Sequence, residues 1–135
     1  MYDFSLITYS LLRIVSGLLM SCHGAQKMLG SFGGMPGLPS PPEFLSQTWF
    51  GGIIELAGGV LILLGLYTRC AAFILSGTMA VAYFQFHAKN GFWPIENHGE
   101  LAVLFCFVFL FICTKGGGML SLDGALRGKK ARPAA

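Results

Sequence analysis

Apolar residues run along this chain in long blocks rather than in alternation. The first block extends from about Phe4 to Cys22, the second from Trp49 to Tyr67 and the third from Cys70 to Phe86. The fourth starts near Gly99-Glu100 and continues through Leu101 to Thr114, where Gly116-Gly117-Gly118 is its natural stop. Each block is near the about 20 residues that a helix needs to cross about 30 Å of hydrocarbon. Charges inside them are few: Arg13 in the first, Glu55 in the second and none in the third. The pattern predicts an all-α protein, a four-transmembrane-helix bundle forming a single membrane domain over residues 1–122. Residues 123–135 then form a basic tail. The start, Met1-Tyr2-Asp3-Phe4, lacks the basic region of a secretory signal, so the first span is expected to remain in the mature protein.

The connections differ in kind. Between the second and third spans there is only Thr68-Arg69, which predicts a tight antiparallel hairpin. The stretch Gly30 to Pro42 is too rich in Gly and Pro for a regular helix or strand. Its apolar residues predict a cap over the helix ends on the extracytoplasmic side rather than a solvated linker. The third connection, His87 to His98, carries Trp93-Pro94, a ring suited to the headgroup layer.

Composition narrows the class. The chain has 135 residues, 54% of them hydrophobic and 11% charged. That is about half the charge of an ordinary soluble domain, and folding at this size covers only about 68–70% of the exposed surface. A membrane protein follows, with lipid as its surroundings; a nucleic-acid reader and a disordered tail are both excluded by the low charge. The net charge of +3 is concentrated after Lys115. By the positive-inside rule Arg127, Lys129, Lys130 and Arg132 are cytoplasmic. An even span count places the N-terminus inside as well. The four cysteines, Cys22, Cys70, Cys106 and Cys113, form no CxxC and read as small buried hydrophobes. Cys106 and Cys113 share a helix face, but about 10 Å of axial rise separates them, too far for a disulfide.

This topology gathers polar residues at one end. His23, Gln26 and Lys27 end the first span, His87 ends the third, and Asn97, His98 and Glu100 open the fourth. Glu55 lies about 9 Å below Trp49 and Arg13 about 15 Å below His23. Unpaired charge in hydrocarbon is costly, so such groups face the bundle interior and find partners. Glu55 is expected to be buried and paired with a cation of the first span, Arg13 as first choice and Lys27 as second. Gly51, Gly52, Gly58 and Gly59 share its face and admit a neighbouring helix. Ser76, Ala80, Tyr83 and His87 form a stripe on the third span.

These residues allow more than one reading. Arg13 and Glu55 serve equally as a register-fixing ion pair or as working groups. The histidines are either interfacial polar residues or proton carriers. Lys27 is either a snorkelling side chain or a ligand contact. No ligand pair shows the spacing of a metal motif, so no metal is expected. Phe105, Phe107, Phe109 and Phe111 alternate, spread around the helix and read as lipid contact.

The segments Arg13-x3-Gly17, His23-Gly24-x2-Lys27, Glu55-x2-Gly58-Gly59-x5-Gly65-Leu66-x-Thr68-Arg69, His87 and Asn97-x-Gly99-Glu100 resemble the pattern of the DoxX family. These are small four-helix membrane proteins, and the resemblance extends from about Leu12 to Leu122. It implies a multi-pass protein of the prokaryotic inner membrane with relatives in redox complexes, among them a thiosulfate:quinone oxidoreductase of archaea and complexes that handle thiol and oxidative stress. The motif positions it carries over are Arg13, His23, Lys27, Glu55, Arg69, His87 and Glu100.

Three functions fit this reading. The first is an oxidoreductase subunit that takes a quinone in a polar pocket, with His23, Glu55 and His87 as proton relay and Arg13, Lys27, Asn97, His98 and Glu100 as ligand contacts. Its partners would be a redox subunit or further copies of the same chain. The second is a membrane scaffold without catalysis. The third is a carrier of small solutes or anions through Arg13 and Lys27, although the inverted repeat of many transporters is absent.

Overall fold

A computed structural model of the protein describes residues 4–130, with side chains to Arg127. Among these residues it is all-helical: α1 spans Phe4–Leu29, α2 Gln47–Leu64, α3 Thr68–Ala82, α4 Pro94–Asn97, α5 Glu100–Lys115 and α6 Leu122–Lys130. α3 does not stop at Ala82 but continues through a π turn, Tyr83–His87, and a 3₁₀ turn, Ala88–Asn90. Three helices are long and apolar enough to cross a membrane, namely Phe4–Leu29, Gln47–Leu64 and Thr68–Asn90. α5 is equally apolar but has 16 residues. That is about 24 Å of rise, short of the about 30 Å of hydrocarbon.

The ends of these helices follow from local chemistry. Ser46 is the N-cap of α2, its hydroxyl accepting from the Trp49 N–H at 3.2 Å. Gly65, at φ 67°, closes α2 in the left-handed conformation that glycine adopts without strain. α1 runs seven residues past its expected end at Cys22, because Ala25, Gln26, Lys27 and Met28 are good helix formers and nothing breaks the pattern before Gly30. His23 and Lys27 therefore stand on helix, one turn apart.

α1 packs mainly on α2, α3 on α5, and α2 on α3. The α1–α2 contact is backbone against backbone. A Cβ on Gly24 would lie 2.2 Å from the Leu56 nitrogen, one on Gly17 2.4 Å from the Leu63 nitrogen and one on Gly59 2.5 Å from the Ser21 nitrogen. Only glycine permits this approach. The core consists of Met20, Ile62, Ala71, Ala72, Leu75, Met79, Phe105, Phe109 and Ile112. Outward positions such as Leu11, Leu18, Val60, Phe73, Leu104 and Phe107 are exposed and apolar, the surface a lipid solvent requires.

Two expectations change here. Phe105 and Phe109 are core residues, stacked with ring centroids 5.6 Å apart, whereas Phe107 and Phe111 are exposed. Residues four apart share a helix face, so the alternating run divides into an inner and an outer pair. Cys70 is exposed rather than buried; Cys22, Cys106 and Cys113 are half-buried, and all four thiols are free. Of the expected basic tail, Arg132 lies outside the described residues. The tail opens as helix α6.

Arg13 departs most from expectation. It is fully buried and does not meet Glu55. Its Nη1 donates to the carbonyls of Ile62 (2.7 Å) and Leu63 (2.8 Å), the last turn of α2, and its Nη2 donates to the Leu120 carbonyl. The helix C-terminus presents unpaired carbonyls and partial negative charge, so a guanidinium is stabilised there without a carboxylate. The same end is tied by Tyr9, whose hydroxyl donates to the Gly116 carbonyl, and by Arg69, whose Nη1 donates to the Cys113 carbonyl at 3.2 Å. Asp123 of α6 accepts from the Tyr67 and Thr68 N–H groups, both at 2.9 Å. It thereby supplies the N-terminal cap that α3 lacks in its own sequence. Burial pushes the Asp123 carboxyl up, but the N–H donors of Thr68 and Tyr67 and the nearby Arg127 charge outweigh it and hold the group below the usual carboxylate range.

Candidate functional site

The opposite end of the helices holds the polar cluster. The glycine contacts bring the last turns of α1 against the middle of α2, so Lys27 reaches across to Glu55. Lys27 Nζ lies 2.6 Å from Glu55 Oε1. Glu55 is 3% exposed, and its second oxygen, Oε2, has no hydrogen-bond partner. The second-choice cation is thus the actual one.

His87 is set by the π turn. The extra residue in this turn displaces every later side chain from the α-helical stripe that began at Ser76. Its Nδ1 lies 3.1 Å from the Asn97 carbonyl oxygen, and its ring stacks on Tyr83 at 6.5 Å. Asn97 is itself buried and organises the connection into α5. Its Nδ2 donates to the Gly91 carbonyl at 2.7 Å and to the Tyr83 hydroxyl at 3.4 Å, and its Oδ1 accepts from the Gly99 N–H at 2.8 Å. Asn97 is therefore a loop fastener, with its side chain spent on protein partners. Tyr83, whose hydroxyl also donates to the Phe92 carbonyl, belongs to the same knot.

Two cavities meet at this cluster. The smaller, about 230 Å³, is lined by His23, Lys27, Glu55, His87 and His98 together with Met20, Met79, Ala82, Leu101, Ala102 and Phe105. The His23 ring meets Phe105 edge to face at 6.3 Å, which orients the imidazole across α1 and α5. The larger, about 610 Å³, is mainly apolar and runs between α2 and α3. Met35 and Leu38 of the Gly/Pro stretch line it, as do Phe50, Ile54, Val81 and Phe86, and it shares Lys27, Glu55, Ala82 and His87 with the smaller one. Gln26 holds that stretch near by, its Nε2 donating to the Gly34 carbonyl at 3.0 Å.

Of the residues singled out from the sequence, His23, Lys27, Glu55, His87 and His98 come together. Arg13 lies at the other end, Asn97 supports the cluster from behind, and the Glu100 side chain is exposed outside both cavities. As the first residue of α5, Glu100 complements the positive helix terminus instead. Among the described residues no three His, Cys, Asp or Glu side chains converge on a common metal position.

The glycines divide by role. Gly52, Gly58 and Gly59 sit against Met28, Leu75 and Ser21, as close packing requires. Gly51 and Gly77 have nothing within 4 Å of where a Cβ would stand, and both line the larger cavity. These two, on facing helices, keep the slot open. Sequence reasoning passed over Gly77 and read Gly51 as a position of close helix approach, because a glycine that leaves space looks the same in sequence as one that fills it with a neighbour. Met35 and Leu38 were read only as apolar residues of the cap stretch.

The profile of the DoxX family matches residues 8–88. The chain belongs to the DoxX family. The matched stretch of this DoxX protein contains His23, Lys27, Glu55 and His87, and it ends before Asn97, His98 and Glu100. The chain is similar to an uncharacterized protein of Haemophilus influenzae, 43% identical over 118 residues that cover 83% of this chain and 85% of the relative. It is also similar to a Bacillus subtilis protein named "Putative oxidoreductase CatD", at 30% identity, covering 89% of this chain and 88% of the relative. An uncharacterized membrane protein of Mycobacterium tuberculosis is 27% identical, with 85% and 78% covered. No solved structure matches the chain.

Proposed function

We propose that this DoxX protein is an inner-membrane subunit of a redox complex that takes a quinone-type ligand from the lipid. The ring sits among His23, Lys27, Glu55 and His87, and the isoprenoid or alkyl tail lies in the apolar slot between α2 and α3. The observation that carries this reading is the junction of the two cavities at one polar wall of Lys27, Glu55 and His87. A quinone is an amphiphile with this division, and the larger cavity falls within the about 300–1,000 Å³ of ligand pockets. Phe50, Val81 and Phe86 line the slot and are themselves about half exposed, so the slot is open on the side where lipid would lie. The name of the Bacillus subtilis relative adds support for redox chemistry. α5 completes a four-span bundle, its short rise extended by the loop at each end. The Gly/Pro stretch caps the site on the extracytoplasmic side, and His23, Glu55 and His87 exchange the protons that accompany quinone reduction or quinol oxidation.

The test fills the slot without touching the polar wall. Leucine at Gly77 replaces a helix-interior glycine in open space, which favours the helix by somewhat less than the about 0.8–1 kcal/mol that separates glycine from alanine. Gly77→Leu should leave stability unchanged or higher while ligand extracted with the purified protein falls at least tenfold. His87→Ala should lower occupancy with the slot intact. Full occupancy in Gly77→Leu, measured by mass spectrometry of the extracted lipids, would defeat the reading and leave a scaffold.

A further inference from the structure

We infer that the site selects the hydroxyl-bearing, reduced form of its ring ligand over the oxidised form. This rests on the quinone-type reading above and specifies the chemical state that the polar wall recognises.

The argument starts from hydrogen-bond inventory. The Glu55 carboxylate offers two oxygens; Oε1 takes the Lys27 ammonium and Oε2 has no partner although the side chain is 3% exposed. A carboxylate oxygen only accepts. His87 adds a second acceptor. The Asn97 carbonyl can only accept, so in the neutral ring Nδ1 carries the proton that it shares with Asn97, and Nε2 is left with its lone pair. Both residues line the same cavity. The wall that a ring would meet therefore carries two acceptors without a partner, Glu55 Oε2 and His87 Nε2, beside the Lys27 N–H groups not spent on Glu55 and the ring N–H groups of His23 and His98. The buried Oε2 is the group that only a donor can satisfy.

Water entering the cavity can donate to Oε2. A ligand that replaces water has to supply a donor in turn, or the carboxylate oxygen is left desolvated. A hydroquinone brings two O–H groups, one suited to Oε2 and one to His87 Nε2. The corresponding quinone brings two carbonyl oxygens, which set lone pair against lone pair at Oε2. A site built around a ligand hydroxyl discriminates strongly against the analogue lacking it, because the protein group is then unpaired.

The experiment uses the full chain in lipid nanodiscs under anaerobic conditions. Three probes of one shape are titrated by equilibrium dialysis: a short-chain substituted benzoquinone, its hydroquinone, and the dimethyl ether of that hydroquinone, which keeps the ring but has no O–H. The hydroquinone is expected to bind at least tenfold more tightly than either of the others. Glu55→Gln provides the second arm. Its amide oxygen can take the Lys27 ammonium, which turns the NH₂ toward the position of Oε2 and replaces an acceptor with a donor. In this variant the preference should vanish or reverse, with quinone affinity rising at least threefold. Equal binding of all three probes, or tighter binding of the quinone by the unaltered chain, overturns the selectivity and leaves the pocket standing. If none of the three binds, the quinone-type reading itself falls. Measurements on the unaltered chain decide the matter even where Glu55→Gln fails to fold.

Discussion

Glu55 and Arg13 are both buried charges, and they are stabilised in different ways. Glu55 depends on one cation, so Lys27→Ala should strand the carboxylate and destabilise the protein by about 3–5 kcal/mol. The double variant Lys27→Ala with Glu55→Leu should recover most of this loss, since no charge is left buried. Unfolding in detergent, followed by far-ultraviolet circular dichroism, compares the two; a double variant no better than the single one would mean that the pair matters by packing alone. Arg13 instead serves three carbonyls from two segments. A single ammonium lacks the planar fork that spans them, so Arg13→Lys is not conservative here. The sequence placed both residues at useful depths but ranked the wrong cation, Arg13, first as the partner of Glu55. Depth along a helix follows from residue count, whereas the direction in which an arginine extends depends on the neighbour's terminus, and the stop of α2 at Gly65 puts free carbonyls within reach of Arg13.

Among the helices, the α1–α2 pair and the α3 start set the geometry. Alanine at Gly24 would place a methyl 2.2 Å from the Leu56 nitrogen, so the helices must part. The expected cost is about 1–3 kcal/mol, as for overpacking in a close-packed core, and the Lys27–Glu55 bridge should loosen with it. The contrast with the tolerated Gly77→Leu is a direct check on which glycines fill space and which preserve it. The Asp123 cap is read by pH. Its carboxyl is held below the ordinary value of about 3.9, so its contribution is fully present above that value and is lost as pH falls through the lower folded-state value. Asp123→Asn should therefore reduce stability at pH 7, by an amount that shrinks as pH falls below the ordinary carboxylate value. A difference between the two proteins that stays constant from pH 7 to pH 2, in thermal unfolding, would assign the cap to neutral hydrogen bonding. The existence and order of the main helices were legible in the runs of apolar residues. The π turn at Tyr83–His87 was not, since nothing in Tyr83-Phe84-Gln85-Phe86-His87 marks an inserted residue, and Asp123 was not, since its partners lie far away in sequence.

For the molecule as a whole, the two ends have different chemistry. One holds the Lys27, Glu55 and His87 wall; the other holds Arg13, Arg69, Lys115, Asp123 and Arg127. The basic end is expected on the cytoplasmic side. In a cysteine-free background, cysteine at Pro39 should react with an impermeant maleimide in intact cells, whereas cysteine at Leu126 should react only after permeabilisation. Equal labelling of both in intact cells would rule out this orientation. That His23, Lys27, Glu55, His87 and His98 lie close together was legible from their positions near helix ends, whereas Arg13, Asn97 and Glu100, read into the same cluster, find other partners or solvent. The slot between α2 and α3 was not, since it depends on what Gly51 and Gly77 leave empty.

The position of Asp123 in the chain also bears on biogenesis. When the α2–α3 hairpin leaves the ribosome, the Tyr67 and Thr68 amides have no cap, and Arg13 lacks the Leu120 carbonyl. The missing partners are made some 55 residues after that turn. At about 5–20 residues per second this is a delay of roughly 3–10 s. A nascent chain therefore stays incompletely latched until its final segment emerges, and a product that ends before Leu120 keeps the ties of Tyr9 and Arg69 but lacks the Asp123 cap and the third carbonyl of Arg13.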